Sequence, residues 1–223
     1  MPIGGGSFTV QNKVLPGAYI NFVSMGTNAK MGERGVAALP LELNWGPEGQ
    51  VFKLDAADFN ATSLKVFGYD PTDANILLVR EAMKRAKTLL IYRVNGGGTK
   101  ASATVGGMTV TAKYGGPRGN AIKVAVITNV DDATKADVVT YLDDMVMDSQ
   151  TVAKSGGAAS LVANDFVTFG TAATLAAATA TPLTGGANAT VNAAKHTAAL
   201  TAFEVETFNV IGYPGTVEDI KSL

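Results

Sequence analysis

The sequence predicts an α+β fold, a small mixed α/β domain interrupted by an inserted antiparallel β-sandwich and preceded by an extended N-terminal arm. Three observations predict it. Up to Gly98 the chain alternates between strand-like and helix-like apolar spacings. After Gly98 it becomes rich in Thr, Val, Ala and Gly, with turn signals at intervals of about eight to twelve residues. From Asn188 onward the helix and strand patterns return. The expected divisions are an arm over 1–22, the first part of the α/β domain over 23–98, the sandwich over 99–187, and a second part of the α/β domain over 188–223.

In the arm, Phe8, Val10 and Val14 alternate with polar residues, Pro16-Gly17 turns the chain, and Tyr19 and Ile20 resume an extended pattern to Phe22. At roughly 3.3 Å per residue, twenty extended residues reach about 65 Å. No neighbouring segment can pair with such a ribbon, so it must join a later strand or another molecule.

Gly35–Leu43 reads as a buried strand, Trp45-Gly46-Pro47 as a turn, and Val51–Leu54 as a second strand. Asp55 or Asp58 is placed to cap a helix ending near Gly68, with Leu64 and Phe67 inward. Asp73 caps the clearest helix, Ala74–Lys87, whose Ile76, Val79, Met83, Ala86 and Leu90 share the three-four spacing of one face. Leu89–Val94 is a strand that Asn95-Gly96-Gly97-Gly98 terminates.

Strands follow at Ala103–Val105, Met108–Lys113, Ile122–Ile127, Asp137–Leu142, Met145–Val152 and Phe166–Phe169. Thr171–Ala180 is read as a last strand because threonines interrupt its alanines and Pro182 follows. Thr190–Val205 is helical, with Val191, Ala194, Ala198 and Phe203 on one face, and Phe208–Ile211 is a strand. Thr216 then caps a helix with Glu218 and Asp219 in its first turn. Two turns of helix bury little, so the natural chain is expected to continue beyond Leu223.

Composition excludes several chemistries. The 223 residues include no cysteine and one histidine, His196, so disulfides, thiolate metal sites and two-histidine metal sites are ruled out within one chain. Hydrophobic residues make up 47% and charged residues 17%, enough apolar content for a packed core. With 18 basic and 19 acidic residues there is no bulk drive toward nucleic acid or an anionic membrane. The start lacks the apolar run of a signal peptide, and no run of about twenty apolar residues suits a bilayer span.

The motifs read as structural. Gly115-Gly116-Pro117-Arg118-Gly119-Asn120 lacks the Lys-Ser/Thr pair and the helix that a phosphate loop needs, which favours a turn in which Arg118 makes a fixed ion pair or hydrogen bonds. Asp131-Asp132 and Asp143-Asp144 lack calcium-loop spacing and read as solvated turns. His196 has no nucleophile elbow to serve, and is read as a surface or interface residue. Arg80, Lys84, Arg85, Lys87 and Arg93, opposed only by Glu81, form a basic patch suited to a solvated face or a charged protein contact. No catalytic, cofactor or metal residues are assigned.

Taken in order, these pieces resemble a known family. The opening Gly5-Gly6-Ser7-Phe8-Thr9-Val10-Gln11-Asn12-Lys13-Val14-Leu15-Pro16-Gly17-Ala18-Tyr19-Ile20-Asn21-Phe22 is similar to the N-terminal arm of contractile phage tail sheath proteins of the Gram-positive prophage and bacteriocin branch. Trp45-Gly46-Pro47, Phe67-Gly68, Tyr92-Arg93-Val94, the turn through Gly116, Arg118, Gly119 and Asn120, Phe166–Phe169 and Pro182–Gly186 follow in that family's order. The resemblance implies a structural subunit whose partners are other sheath subunits, the tail tube protein, the baseplate and the tail terminator, with no cofactor, no nucleic acid and no membrane insertion. It implies assembly in the bacterial cytoplasm into a virion tail or a released phage-tail-like particle, more than a hundred further residues, and intersubunit contacts through Phe8, Val10, Val14, Tyr19 and Ile20. The competing readings are another virion component (a tube or decoration protein) and a small α/β nucleotide-binding enzyme using Asn95–Gly98 as an anion loop.

Overall fold

A computed structural model describes residues 35–215; the arm, with Phe8, Val10, Val14, Tyr19 and Ile20, and the helix expected from Thr216 lie outside the described residues. Among the described residues the fold is mixed, with three α-helices and three sheets including a β-sandwich. The first sheet comprises β1 (Val36–Leu41), β2 (Val51–Asp55), β3 (Thr88–Arg93) and β11 (Val210–Ile211), in the order β11-β1-β3-β2. β1 runs parallel to β3 and β11, and β2 is antiparallel to β3.

Every residue of β3 is buried because helices cover both faces of this sheet. On one face Leu89 and Ile91 pack with Leu41 of β1, Phe59 and Phe67 of α1 (Phe59–Phe67), Val79 and Met83 of α2 (Leu77–Met83), and Ile76 of the turn before it. On the other, Ala38, Leu90 and Tyr92 pack with Ala199 and Phe203 of α3 (Ala193–Glu204). β11 stays short for a reason visible in β1. Val36 and Ala38 direct their carbonyls to the β11 side, accepting from Asn209 and Gly212. Two residues on, Pro40 points the same way and has no N–H with which to continue the ladder.

Helix limits depart from the periodicity in three places. The helix expected over 74–87 is a 3-10 turn, Ala74–Ile76, followed by α2, which stops at Met83. Asp73 caps the 3-10 turn by accepting from the Asn75 N–H, and Leu90 belongs to β3 on the opposite face, not to the helix stripe. Asp58 precedes α1 without a side-chain cap, while Asp55 accepts from the Thr88 hydroxyl. On α3 the buried residues are His196, Ala199 and Phe203, and Ala194 and Ala198 are exposed; the many alanines left the phase of that helix undetermined by composition.

The sandwich packs two antiparallel sheets. One is β4 (Lys100–Val105), β5 (Met108–Gly115) and β9 (Val167–Phe169); the other is β10 (Ala178–Pro182), β6 (Ile122–Thr128), β7 (Lys135–Leu142) and β8 (Met145–Ala153). Inward alternation from both sheets builds a core of Val105, Met108, Val110, Ile122, Val124, Val126, Val138, Leu142, Val167, Leu175 and Leu183. Of the strand expected over 171–180, only Ala178 onward joins a ladder, with a bulge against β6. The β7–β8 hairpin turns on Asp143 and Asp144 at φ 49° and 67°, the double left-handed pattern of a two-residue hairpin loop.

Candidate functional site: a polar joint between sheet and sandwich

Trp45-Gly46-Pro47, Arg93 and the Gly116–Asn120 turn converge on one place. Trp45, in the connection from β1 to β2, is 1% exposed and inserts into the sandwich core. Its ring meets Tyr114 edge-on at 5.3 Å and stacks on Phe166 at 6.4 Å, and its indole N–H donates to the Lys65 carbonyl of α1 at 3.4 Å. One side chain thus joins the connection, the helix and the sandwich. Gly46 and Pro47 then carry the chain past the end of β3, where Arg93 lies.

Arg93 departs from the basic patch expected for it: it is 1% exposed. Odd-numbered β3 residues face the α1–α2 layer, but at the strand's end that layer gives way to the sandwich, and the guanidinium enters the joint. Nη1 donates to the Gly46 carbonyl at 3.1 Å and Nη2 to the Gly115 carbonyl at 2.7 Å. Nη2 also reaches Asn188 Oδ1 at 3.0 Å, and Nε reaches Asn95 Oδ1 at 3.2 Å. Burial pulls the guanidinium pKa down, and the nearby Glu48 charge opposes that effect. Burial also pushes the Tyr114 phenol up, assisted by the charges of Asp165 and Glu48.

Sequence reasoning missed Asn44, Glu48, Asn95 and Asn188 as members of this network. Asn95 accepts from the Leu43 N–H at 3.0 Å, Asn188 donates to Asn44 Oδ1 at 3.0 Å, and Asn44 donates to the Tyr69 hydroxyl at 3.3 Å. Glu48 accepts from the Gly97 N–H and, at 3.4 Å, from the Gly115 N–H. The available signal was position: Asn95 and Asn188 flank the Thr/Gly-rich stretch at its two ends.

The Gly116–Asn120 turn supplies a second strut. Pro117–Ala121 forms a 3-10 turn, and Gly116 sits at φ 128°, where a Cβ would overlap the Asn44 carbonyl oxygen. Gly119 is buried against Ala101 and Ala112. Arg118 donates through Nε to the Gly68 carbonyl at 2.6 Å, lies over the Tyr69 ring at 4.4 Å, and pairs in bidentate fashion with Asp143. Asn120 and Gly186 exchange two hydrogen bonds, at 2.8 and 3.0 Å.

The remaining basic residues lie elsewhere. Arg80 donates to the Thr72 carbonyl at 2.6 Å, Lys84 holds Glu81 at 2.7 Å, and Arg85 and Lys87 are exposed. The Glu81 carboxyl is held below its ordinary range first by its hydrogen bond from Lys84. His196 is buried rather than superficial, edge-on to Tyr213 with Nε2 3.4 Å from the hydroxyl. Among the described residues no group of three or more His, Cys, Asp or Glu is placed to hold a metal, and no helix is long and apolar enough to cross a membrane.

Comparison with known proteins agrees with this architecture. Residues 34–94 match the family model for the N-terminal region of tail sheath protein Gp18 domain III, and residues 96–188 match that for the phage tail sheath protein beta-sandwich domain. The crystal structure of a sheath tail protein from Desulfitobacterium hafniense superposes with a TM-score of 0.79 at 42% identity, covering 92% of this chain and 47% of that one. A sheath tail protein from Listeria innocua gives 0.74 at 36% identity, covering 86% and 42%. Among curated relatives, the uncharacterized protein YqbK of Bacillus subtilis is 38% identical over 243 residues, covering 99% of this chain and 50% of its own length. The phage-like element PBSX protein XkdK of the same organism is 37% identical over 234 residues, covering 95% and 48%. The chain therefore spans about half the length of the relatives it matches. With both sheath-domain models matched in sequence order and two sheath tail proteins sharing its fold, the chain belongs to the phage tail sheath protein family.

Proposed function

We propose that the chain serves in a contractile tail sheath, whose subunits polymerise around a tail tube and shorten to drive that tube through a cell envelope. One observation carries this reading: in the crevice at the carboxyl ends of β1 and β3 the protein's own side chains take the backbone groups that a ligand would use. α/β proteins that handle a ligand keep this crevice open. Here Glu48 accepts from the Gly97 and Gly115 N–H groups and Arg93 is bound to Asn95 and Asn188, which leaves a cleft of about 230 Å³ between Glu48, Tyr92, Gly96 and Lys195, smaller than the ~300 Å³ and upward of small-molecule sites. The place where a nucleotide enzyme would do chemistry is a joint, which supports a mechanical and non-catalytic role.

In this reading residues 1–22 add a strand to a neighbouring subunit through backbone hydrogen bonds, with Phe8, Val10, Val14, Tyr19 and Ile20 fixing register. Each bond contributes about 0.5–1.5 kcal/mol, so a durable tether needs roughly six or more. A strand on a flexible stem survives rotation of its parent domain, and the mesh stays connected while subunits slide. Residues 99–187 form the inserted domain on the outer surface, and Arg80, Lys84, Arg85 and Lys87 face a charged neighbour. The partners are further sheath subunits, the tube, the baseplate and the terminator. Assembly takes place in the bacterial cytoplasm, and the product is a virion tail or a released phage-tail-like particle.

Deleting residues 1–20 tests this. The deletion protein is expected to remain folded while polymers disappear, and Val10→Pro or Val14→Pro is expected to act the same way. Normal polymers from these variants would defeat the tether.

A further inference from the structure

We propose that Asn95-Gly96 is a conditional modification site, inert while the joint is closed and open to deamidation of Asn95 when the joint parts. The reaction needs only the chain and water. The Gly96 main-chain nitrogen attacks Cγ of Asn95, and the side-chain amide leaves as ammonia, taking up the Gly96 amide proton. A five-membered succinimide closes, and water opens it on either side to give aspartate or isoaspartate at position 95. Asn95 is the one asparagine in the sequence followed by glycine, so no side chain shields the attacking nitrogen.

The fold demands both halves of this labile pair. At Gly96 a Cβ would lie 2.7 Å from Cβ of Glu48 and 3.3 Å from the Arg93 carbonyl oxygen, which leaves glycine as the residue that fits. Asn95 in turn supplies the acceptor for the Leu43 N–H at 3.0 Å and for Nε of Arg93 at 3.2 Å.

The same contacts hold the reaction off. Asn95 is 2% exposed, which keeps water and base from it. Two donors pin its Oδ1, and the Ala189 N–H pins its main-chain carbonyl at 3.2 Å. Beyond it, Lys195 holds the Gly96 carbonyl at 2.8 Å and Glu48 holds the Gly97 N–H. Turning Cγ toward the Gly96 nitrogen therefore requires Leu43 and Arg93 to release Oδ1, which is an opening of the joint.

The two products act differently on the joint. Aspartate at position 95 keeps both acceptor contacts and sets a charge against the Arg93 guanidinium. Isoaspartate routes the main chain through the side-chain carbon, adding a bond of about 1.5 Å between Val94 and Gly96. The contacts from Ala189 and Lys195 then fall out of register, and a transient opening becomes a permanent one.

Peptide mapping by mass spectrometry, with enzymatic methylation to count isoaspartate, tests this in the full chain held at mildly alkaline pH. Loss of Asn95 is expected to run at least ~100-fold slower in native buffer than in unfolding urea, because it follows the population of the open form. Sub-denaturing urea is expected to raise the rate before far-ultraviolet circular dichroism changes, and Arg93→Met to raise it by about tenfold or more in native buffer. Asn188 shares the joint but precedes alanine, and is expected to lag Asn95 in urea by about tenfold or more, since a methyl crowds the attacking nitrogen. Chains bearing isoaspartate are expected to keep an exposed Trp45 fluorescence after urea is removed. Equal rates in native buffer and urea, an Arg93→Met rate matching the parent, or Asn188 keeping pace with Asn95 would overturn the proposal. Parent-like fluorescence of the isoaspartate chains in native buffer would overturn the permanent opening.

Discussion

Replacing Arg93 with methionine removes the fork at the centre of the joint while keeping most of its volume. Four donor contacts, two to backbone carbonyls and two to asparagine oxygens, are lost from a site that is 1% exposed. Hydrogen bonds to a charged group contribute about 1.5–3 kcal/mol each, but a simple sum overshoots because burying the guanidinium itself costs several kcal/mol. Removing the guanidinium leaves four neutral acceptors in the joint short of a donor, at about 1–3 kcal/mol for each one left unsatisfied, less the desolvation the guanidinium no longer suffers, for a net cost of about 3–5 kcal/mol. For a chain of this size that lowers Tm by roughly 10–15 °C. Trp45 is the single tryptophan and sits in the joint, so its fluorescence reports opening there directly. In urea the fluorescence transition of Arg93→Met is expected to precede the loss of far-ultraviolet circular dichroism. Arg93→Lys is expected to recover less than half the loss, since an ammonium cannot bridge acceptors on four sides. Coincident transitions with a midpoint within about 1 kcal/mol of the parent would refute the joint.

Gly116→Ala is expected to cost about 2–4 kcal/mol by thermal unfolding, since φ is 128° and the added methyl meets the Asn44 carbonyl; a neutral result would contradict that backbone geometry. At the β7–β8 turn, Asp144→Ala is expected to cost about 1 kcal/mol and Asp144→Gly to stay within about 0.5 kcal/mol of the parent, because the strain is at positive φ; the reverse order in urea melts would contradict it. The Asp165 carboxyl lies below its ordinary range, first through its hydrogen bond from Lys65 and then through the charges of Lys65 and Lys113. A depressed folded pKa contributes stability above the unfolded value near 4 that is lost as pH falls through the folded value. Acid unfolding is therefore expected to steepen below about pH 4, and Asp165→Asn to flatten part of that slope; an identical slope would count against the pairing.

Much of the fold was legible because local signals agreed with tertiary demand. The strands of the sandwich alternate cleanly, the Gly-Gly and Asp-Asp turns punctuate them, and Asp73 and Gly68 mark helix ends. The Gly116–Asn120 turn and Trp45-Gly46-Pro47 were recognisable as structural motifs, yet nothing local to either reveals that they meet. Arg93 was misplaced because it follows a run of basic residues, and neighbours in sequence suggested neighbours in space. A better signal was at hand: Leu89–Tyr92 is continuously apolar, as in a strand covered on both faces, and a cation at the end of such a strand has buried surroundings. α3 was misphased for the opposite reason, since alanine at so many positions leaves the buried face to be chosen by His196, Ala199 and Phe203 against the sheet.

The central claim is that this chain builds a cylinder around a tube. Electron microscopy of the protein assembled with its native tail components tests it most directly. The expected result is hollow cylinders wide enough to enclose a tube, in a long and a shortened form, with residues 99–187 on the outside. Narrow tubes with no lumen for a second cylinder, or particles in which the 99–187 domain lines the interior, would contradict it.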